Sequence, residues 1–154
     1  IGKSLAKKLS YTFVDVDKLI ELKEGSSIKL IFKNKSENYF RKLESKLSLQ
    51  ELEKKNCVIA LGGGAFENKL IRRAVKNFSV SFWLDVKTDE LIRRLKRTKK
   101  RPLLDHKNLG LTVNKIYLQR KKTYNEADYR IKCNYLKPEV IVSKIIRRYE
   151  KSGN

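Results

Sequence analysis

Acidic, glycine and basic residues stand in this chain directly after its predicted strands. Asp15 and Asp17 end the first strand, and three consecutive glycines at 62–64 end the second. Arg101 and Arg120 lie in the loop and helix that follow a later strand. Ligands of parallel sheets bind beyond the carboxyl ends of the strands, so we expect these groups to meet at one edge. Carboxylates, bare backbone and guanidinium groups together are typical of a phosphoryl-transfer site.

The elements that must position these groups alternate along the whole chain. Continuous apolar runs predict strands buried on both faces, and apolar residues at helical spacing predict the covering helices. Such alternation indicates an α/β fold, a three-layer parallel sheet with helices on both faces. The type of segment 28–32 stays open, and 97–110 reads as a mobile loop. We predict strands at 12–16, 57–61, 79–84 and 129–133, and helices at 1–9, 37–52, 70–76, 89–96, 111–124 and from Pro138 onwards.

The length and the charge of the chain indicate its number of domains and the kind of partner that it binds. The 154 residues, 40% of them hydrophobic, suit one domain over 1–154 with its own core. The 37 basic and 17 acidic residues give a net charge of +20, which suits a polyanionic partner such as a nucleoside triphosphate. Most of the basic residues are expected on solvated helix faces.

The two cysteines and the missing apolar spans bear on the compartment. Cys57 and Cys133 form no CxxC pair, and with a single histidine, His106, they do not predict a metal site. Cys57 opens an apolar run and is predicted to be a buried, reduced thiol. No apolar run reaches the length of a membrane span and no signal peptide is visible, so we expect a cytoplasmic protein.

Five motifs, in this order, resemble those of the shikimate kinases. They are F-x-D-x-D ending at Asp17, F-R-x-x-E around Arg41, the triple glycine, R-P-L-L from Arg101, and R-x-x-x-Y ending at Tyr124. Their order and spacing hold over essentially the whole chain. The resemblance implies a P-loop fold like that of the nucleoside monophosphate kinases. It also implies transfer of the ATP γ-phosphate to the 3-hydroxyl of shikimate, in aromatic amino-acid biosynthesis, by a monomeric enzyme.

The resemblance assigns roles on the acceptor side of the site. Asp15 matches the acid associated with Mg²⁺, and Asp17 matches the acid that contacts shikimate and helps to deprotonate its hydroxyl. Arg41 and Arg120 match the pair that grips the shikimate carboxylate. The residues that match the backbone contacts to substrate are Gly62, Gly63 and Gly64. The structural alternatives are a helix N-cap for Asp17, a surface ion pair with Glu44 for Arg41, a solvated cation for Arg120 and a tight turn for the glycines.

The resemblance also assigns the nucleotide side. Arg101 matches a lid arginine that reaches the ATP phosphates and stabilises the transition state, within a lid at about 96–110. Arg94 matches an arginine that stacks near adenine, although Arg93 and Arg97 are close alternatives. ATP and Mg²⁺ are the implied cofactors.

One expected motif is missing from this sequence. A G-x-x-x-x-G-K-[ST] loop should follow a first strand, and no such motif occurs. Gly2-Lys3-Ser4 is not that loop, because residues 1–9 resemble the family segment IGRxLAxxL inside the following helix. We therefore expect this chain to lack the first, central strand, to show a gap between the strands at 57–61 and 79–84, and to be inactive alone.

Three other functions stay open. A related small-molecule kinase, such as a gluconate kinase, would share much of the pattern, but F-R-x-x-E together with the triple glycine favours shikimate. A non-catalytic relative would keep only the shikimate pocket. The charge could also suit a nucleic-acid-binding module, although no recognition motif of that class appears and specific nucleic-acid binding is not expected.

Overall fold

The computed structural model describes residues 1–96 and 108–153, and within them helices and strands alternate. The predicted helix at 37–52 is observed with the same bounds, and the predicted helix from Pro138 begins there. The helices are α1 (Gly2–Leu9), α2 (Val16–Glu24), α3 (Ile28–Asn34), α4 (Glu37–Leu52), α5 (Lys69–Phe78), α6 (Thr88–Leu95), α7 (Leu109–Tyr124) and α8 (Pro138–Glu150), with a short 3₁₀ turn at Ala65–Glu67.

Among the described residues, four short parallel strands form two separate pairs. β1 (Thr12–Asp15) pairs with β2 (Cys57–Ala60), with Phe13 opposite Val58. β3 (Phe82–Asp85) pairs with β4 (Tyr129–Lys132), with Trp83 opposite Arg130. In this part of the chain β2 and β3 are not hydrogen-bonded to each other. The predicted separation of these two strands is therefore observed, and the strand expected between them stays a prediction.

The side chains of β2 show how the helices cover two faces. Successive strand residues point to opposite faces. Val58 packs into a cluster that contains Leu5 of α1 and Val142 of α8. Ile59 packs on the other side, among the apolar residues of α2, α4 and α5, such as Ile20 and Ile71. Helix layers thus lie on both sides of the strands, as the sequence predicts for an α/β fold.

A cleft of about 890 Å³ separates β2 from β3. We call it the interstrand cleft, and it is lined mainly by apolar side chains, among them Leu5, Val58, Phe82, Trp83 and Leu84. All four residues of β2 are only half-buried, so the prediction of a strand buried on both faces is wrong for this structure. Cys57 was predicted to be buried, and this prediction is wrong, because the residue is half-buried. Its thiol is free.

Segment 28–32, which the sequence left open, is helical. The Ser27 hydroxyl caps α3 by accepting from the Leu30 amide, and Ile31 is buried against α2 and α4. Residues 109 and 110, predicted in a loop, already belong to α7. Residues 97–107 of that loop lie outside the described residues. No helix in the described part is long and apolar enough to cross a membrane.

Candidate active site

Two carboxylates flank the start of α2, and their local roles differ from the prediction. Asp15 is the N-cap of α2, since its Oδ1 accepts from the Lys18 amide at 3.3 Å. The N-cap alternative for Asp17 is therefore wrong. Asp17 lies in the first turn, where the positive end of the helix dipole favours a carboxylate, and its Oδ1 reaches toward the triple glycine. Asp17, which the family resemblance matches to the acid that contacts shikimate, is thus the acid that lies beside the glycines.

Helix α4 supplies Arg41 and holds it with two glutamates. Nη1 of Arg41 donates to Glu44 Oε2 at 2.7 Å, and its Nε and Nη2 donate to Glu37 Oε1 at 3.3 and 3.2 Å. The Glu44 side chain is 3% exposed, against 30% for Arg41. The ion pair foreseen as an alternative for Arg41 therefore exists, with its anion buried. It holds in place a guanidinium that lines a pocket.

Burial and charge act against each other at this pair. Burial raises the pKa of the Glu44 carboxyl above its ordinary value, although the hydrogen bond from Arg41 pulls it down. Burial also disfavours the Arg41 cation, but its bonds to Glu44 outweigh that effect and raise the Arg41 pKa. The charges of Asp17 and Arg120 reach Glu44 as well. Four ionisable groups thus share one site.

The triple glycine passes close to these side chains. A Cβ at Gly64 would lie 2.5 Å from Nη1 of Arg41. A Cβ at Gly62 would lie 2.7 Å from Glu44 Oε1 and 2.8 Å from Asp17 Oδ1. An added Cβ would displace the ends of these side chains, so glycine permits this close approach of backbone to charged groups. A tight turn alone does not explain this arrangement.

Helix α7 completes a pocket of about 770 Å³. We call it the acceptor pocket. Arg120 lines it from α7, and Arg94 lines it from α6. The predicted site residues that it brings together are Asp17, Arg41, Gly62, Gly63, Gly64, Arg94 and Arg120. Asp15 is not among the residues that line it, and Arg101 lies outside the described residues.

A buried carboxylate also fixes the arginines of α6. Glu90, whose side chain is 1% exposed, accepts from Nε of Arg93 at 2.7 Å and from Nε of Arg94 at 2.8 Å. Hydrogen bonds from Arg93, and to a smaller extent from Arg94, lower the pKa of Glu90 to about 2. The alternatives Arg93 and Arg94 therefore share one anchor, and Arg94 lines the acceptor pocket.

Two residues contribute to this edge of the molecule although the sequence assigns them no role: Asp85, and Tyr124, which the sequence places only in the R-x-x-x-Y motif. Asp85, the last residue of β3, is buried and accepts from Arg130 Nη2 at 2.7 Å and from the Tyr117 hydroxyl at 3.1 Å. Arg130 in turn lies 4.6 Å from the ring of Trp83. The position of Asp85 at a strand end was the available signal. The second contributor is the Tyr124 hydroxyl, which donates to the Gly63 carbonyl.

The described residues hold no group of three or more His, Cys, Asp or Glu that could bind a metal by themselves. Mg²⁺ commonly keeps several waters and takes one or two carboxylates together with substrate phosphates. A lone Asp15 carboxylate is compatible with that mode of binding.

Fold and site together define a class of protein. Parallel strands covered by helices on both faces, with a pocket of carboxylates, arginines and bare glycine backbone beyond the strand ends, are the features of an α/β enzyme that binds a small anionic substrate.

Comparison with known proteins identifies the family within this class. The shikimate kinase family model matches residues 1–150. A shikimate kinase of Persephonella marina is 38% identical over 148 residues, covering 96% of this chain and 89% of that protein. The chain therefore belongs to the shikimate kinase family, whose members are transferases of aromatic amino-acid biosynthesis that use ATP and Mg²⁺.

Solved structures agree with this assignment. Shikimate kinase from Acinetobacter baumannii in complex with shikimate superimposes with a TM-score of 0.93 at 29% identity, covering 98% of this chain and 85% of that one. Shikimate kinase from Aquifex aeolicus gives a TM-score of 0.86 at 34% identity, covering 99% and 89%. The predicted family and the coarse α/β kinase fold are confirmed.

Proposed function

We propose that the acceptor pocket binds shikimate and presents its 3-hydroxyl for phosphorylation by ATP. One observation carries the proposal: Asp17, Arg41 and Arg120 line the same pocket as the triple glycine, although they come from three different helices. A relative whose structure contains shikimate shares this fold. The pocket offers cations for the carboxylate of shikimate and a carboxylate for its hydroxyls.

In this proposal Arg41 and Arg120 grip the substrate carboxylate. A guanidinium presents a planar fork that matches a carboxylate with two parallel bonds. Glu44 and Glu37 hold Arg41 through all three of its nitrogens, which limits the rotamer entropy lost on binding. The buried Glu44 balances part of the positive charge while the pocket is free of anion.

Asp17 receives the hydroxyl side of the substrate. Its carboxylate accepts the proton of the 3-hydroxyl as the hydroxyl oxygen attacks the γ-phosphorus of ATP and ADP leaves, which makes Asp17 the general base. Its location beside Gly62 supports this role, because substrate bound against the glycine backbone would lie next to that carboxylate.

The residues that would bind ATP and Mg²⁺ are those that the family resemblance assigns. When bound, ATP would supply the phosphoryl group, and Mg²⁺ would neutralise charge on its phosphates. Asp15 would bind Mg²⁺ through water, Arg94 would stack near adenine, and Arg101 would reach the phosphates from a lid at about 96–110. The anchoring of Arg94 by Glu90 supports a fixed position for that guanidinium. One domain over 1–154, a monomeric state and a cytoplasmic location stay predictions.

We further propose that the interstrand cleft is the place of a strand that leads into a phosphate-binding loop, and that this chain without them does not turn over ATP. The cleft is apolar and is bounded by β2 and β3, which are not hydrogen-bonded to each other. An inserted parallel strand would satisfy the backbone groups of both edges. The sequence of this chain contains no G-x-x-x-x-G-K-[ST] motif.

Shikimate binding and turnover should be measured separately. Trp83 is the single tryptophan and lines the acceptor pocket, so its fluorescence reports binding. We expect saturable binding of shikimate, weaker binding of gluconate, and no phosphate transfer from ATP. Failure to bind shikimate would refute the acceptor assignment, whereas turnover at an ordinary enzyme rate would refute only the claim of inactivity. DNA binding that survives physiological salt would instead favour a nucleic-acid-binding role.

A further inference from the structure

The triple glycine is held by a residue that has no assigned role. The Tyr124 hydroxyl donates to the Gly63 carbonyl at 2.6 Å, across 61 positions of sequence. Tyr124 is the last residue of α7, whereas Gly63 follows β2. The bond therefore connects two segments that meet only in the folded chain.

The local chain accounts for the neighbouring glycine carbonyls but not for this one. The Ala65 amide donates to the Gly62 carbonyl at 3.0 Å, and the Glu67 amide donates to the Gly64 carbonyl at 3.2 Å. Both bonds belong to the turn that follows the glycines. The Gly63 carbonyl takes its bond from the Tyr124 side chain instead. Three glycines in a row lose much conformational freedom on folding, so a distant partner has a large effect on their geometry.

The ring of Tyr124 is itself held by two aromatic contacts. It forms T-shaped pairs with Phe66 and Trp83, with ring centroids 6.1 and 5.8 Å apart. Edge-to-face pairs at these distances are favourable beyond the area that they bury. The ring contacts fix the place of the hydroxyl, and the hydroxyl then fixes the place of the Gly63 carbonyl.

The bond also sets the direction of the amide of the next residue, Gly64, which lines the acceptor pocket. The Gly63 carbonyl and the Gly64 amide belong to one planar trans peptide and point in opposite directions. Within residues 1–96 and 108–153, no acceptor is bonded to the amide of Gly63 or Gly64. Gly64 lies against the Arg41 guanidinium. Holding the carbonyl toward the Tyr124 hydroxyl therefore points the Gly64 amide away from that hydroxyl and leaves it available to a ligand.

We propose that Tyr124 is a positioning residue for substrate binding: through the Gly63 carbonyl it holds the triple glycine in the conformation that receives shikimate. The inference rests on the proposed function of the acceptor pocket. Arg120 stands one turn before Tyr124, on the same face of α7. A single turn of α7 thus sets the substrate carboxylate contact and the glycine backbone contact together.

The test is Tyr124→Phe, which keeps the two ring contacts and removes only the hydroxyl. We expect shikimate to bind about three- to tenfold more weakly, the loss of roughly one net hydrogen bond. We also expect the amides of Ala65 and Glu67 to exchange with solvent several-fold faster by NMR, because their acceptors lie in the released loop. Binding is measured well below the unfolding transition of each variant.

The matched control is Tyr135→Phe, which removes a hydroxyl bonded to Asp89 Oδ2 at 3.0 Å, outside the lining of the acceptor pocket. It should leave shikimate affinity and loop exchange unchanged. If Tyr124→Phe lowers only the unfolding midpoint, and affinity and exchange both stay at the parent values, the residue is merely structural and the inference is overturned. The exchange measurement needs no ligand, so it tests the holding of the loop even if the parent chain failed to bind shikimate, a result that would refute the proposed function.

Discussion

Substituting Gly64 by alanine gives a direct test of the acceptor pocket. The new methyl carbon would lie 2.5 Å from Nη1, 2.7 Å from Cζ and 2.8 Å from Nη2 of Arg41. Nonbonded carbon atoms prefer separations of about 3.5 to 4.0 Å, so the guanidinium must retreat by roughly 1 Å. The end of the Arg41 side chain is 30% exposed and can move, and the fold should therefore survive.

This displacement of the Arg41 guanidinium should weaken shikimate binding. A hydrogen bond to a charged group contributes about 1.5 to 3 kcal/mol, and each 1.4 kcal/mol is about tenfold in affinity. If one arm of the Arg41 fork is lost, shikimate should bind about ten- to one-hundredfold more weakly. Calorimetry or Trp83 fluorescence measures this change.

The control for Gly64→Ala is Gly110→Ala, at the start of α7. There the added Cβ meets only Ile92 Cδ1, at 3.9 Å, and alanine suits a helix better than glycine. It should keep shikimate affinity and slightly raise stability. Parental shikimate affinity in Gly64→Ala would show that Arg41 does not bind the carboxylate from its present position.

Three further outcomes follow from the structure. Arg41→Lys should weaken shikimate binding by about tenfold or more, because an ammonium lacks the planar fork, while the exposed Arg73→Lys should not. Glu90, with a pKa of about 2 against an ordinary 4.5, stabilises the fold fully above pH 4.5 and loses this contribution as the pH falls toward 2. Glu90→Gln should therefore be less stable than the parent near neutral pH, with the difference in urea unfolding shrinking in acid. Ile20→Ala, at a side chain with 0% exposure, should lower the free energy of unfolding by about 2 to 5 kcal/mol, and little change would mean that α2 does not pack as observed.

Long periodic elements were predictable from the sequence. The helix at Glu37–Leu52 has the predicted bounds because apolar residues at helical spacing follow Ser36, whose hydroxyl caps the Tyr39 amide. The short apolar run at 28–32 could not be decided, since a few apolar residues fit a strand as well as a buried helix. Packing of Ile31 against α2 and α4 decides it.

The motifs also predicted which residues line the pocket. Asp17, Arg41 and Arg120 were chosen from motifs, and the structure brings them together beside the glycines. The sequence did not reveal that Asp15 rather than Asp17 caps α2, because either carboxylate is close enough along the chain to do so. Local geometry at the strand end makes that choice.

The sequence by itself determined the chemical groups, the helical and extended segments, and the family pattern, since these depend on residues close together along the chain. Tertiary structure alone decided which distant groups meet. The bond from Tyr124 to Gly63 spans 61 positions, and the half-burial of β2 depends on its pairing with β1 on one edge and on the interstrand cleft at the other. Such contacts depend on how whole helix and sheet faces pack, which local spacing does not specify.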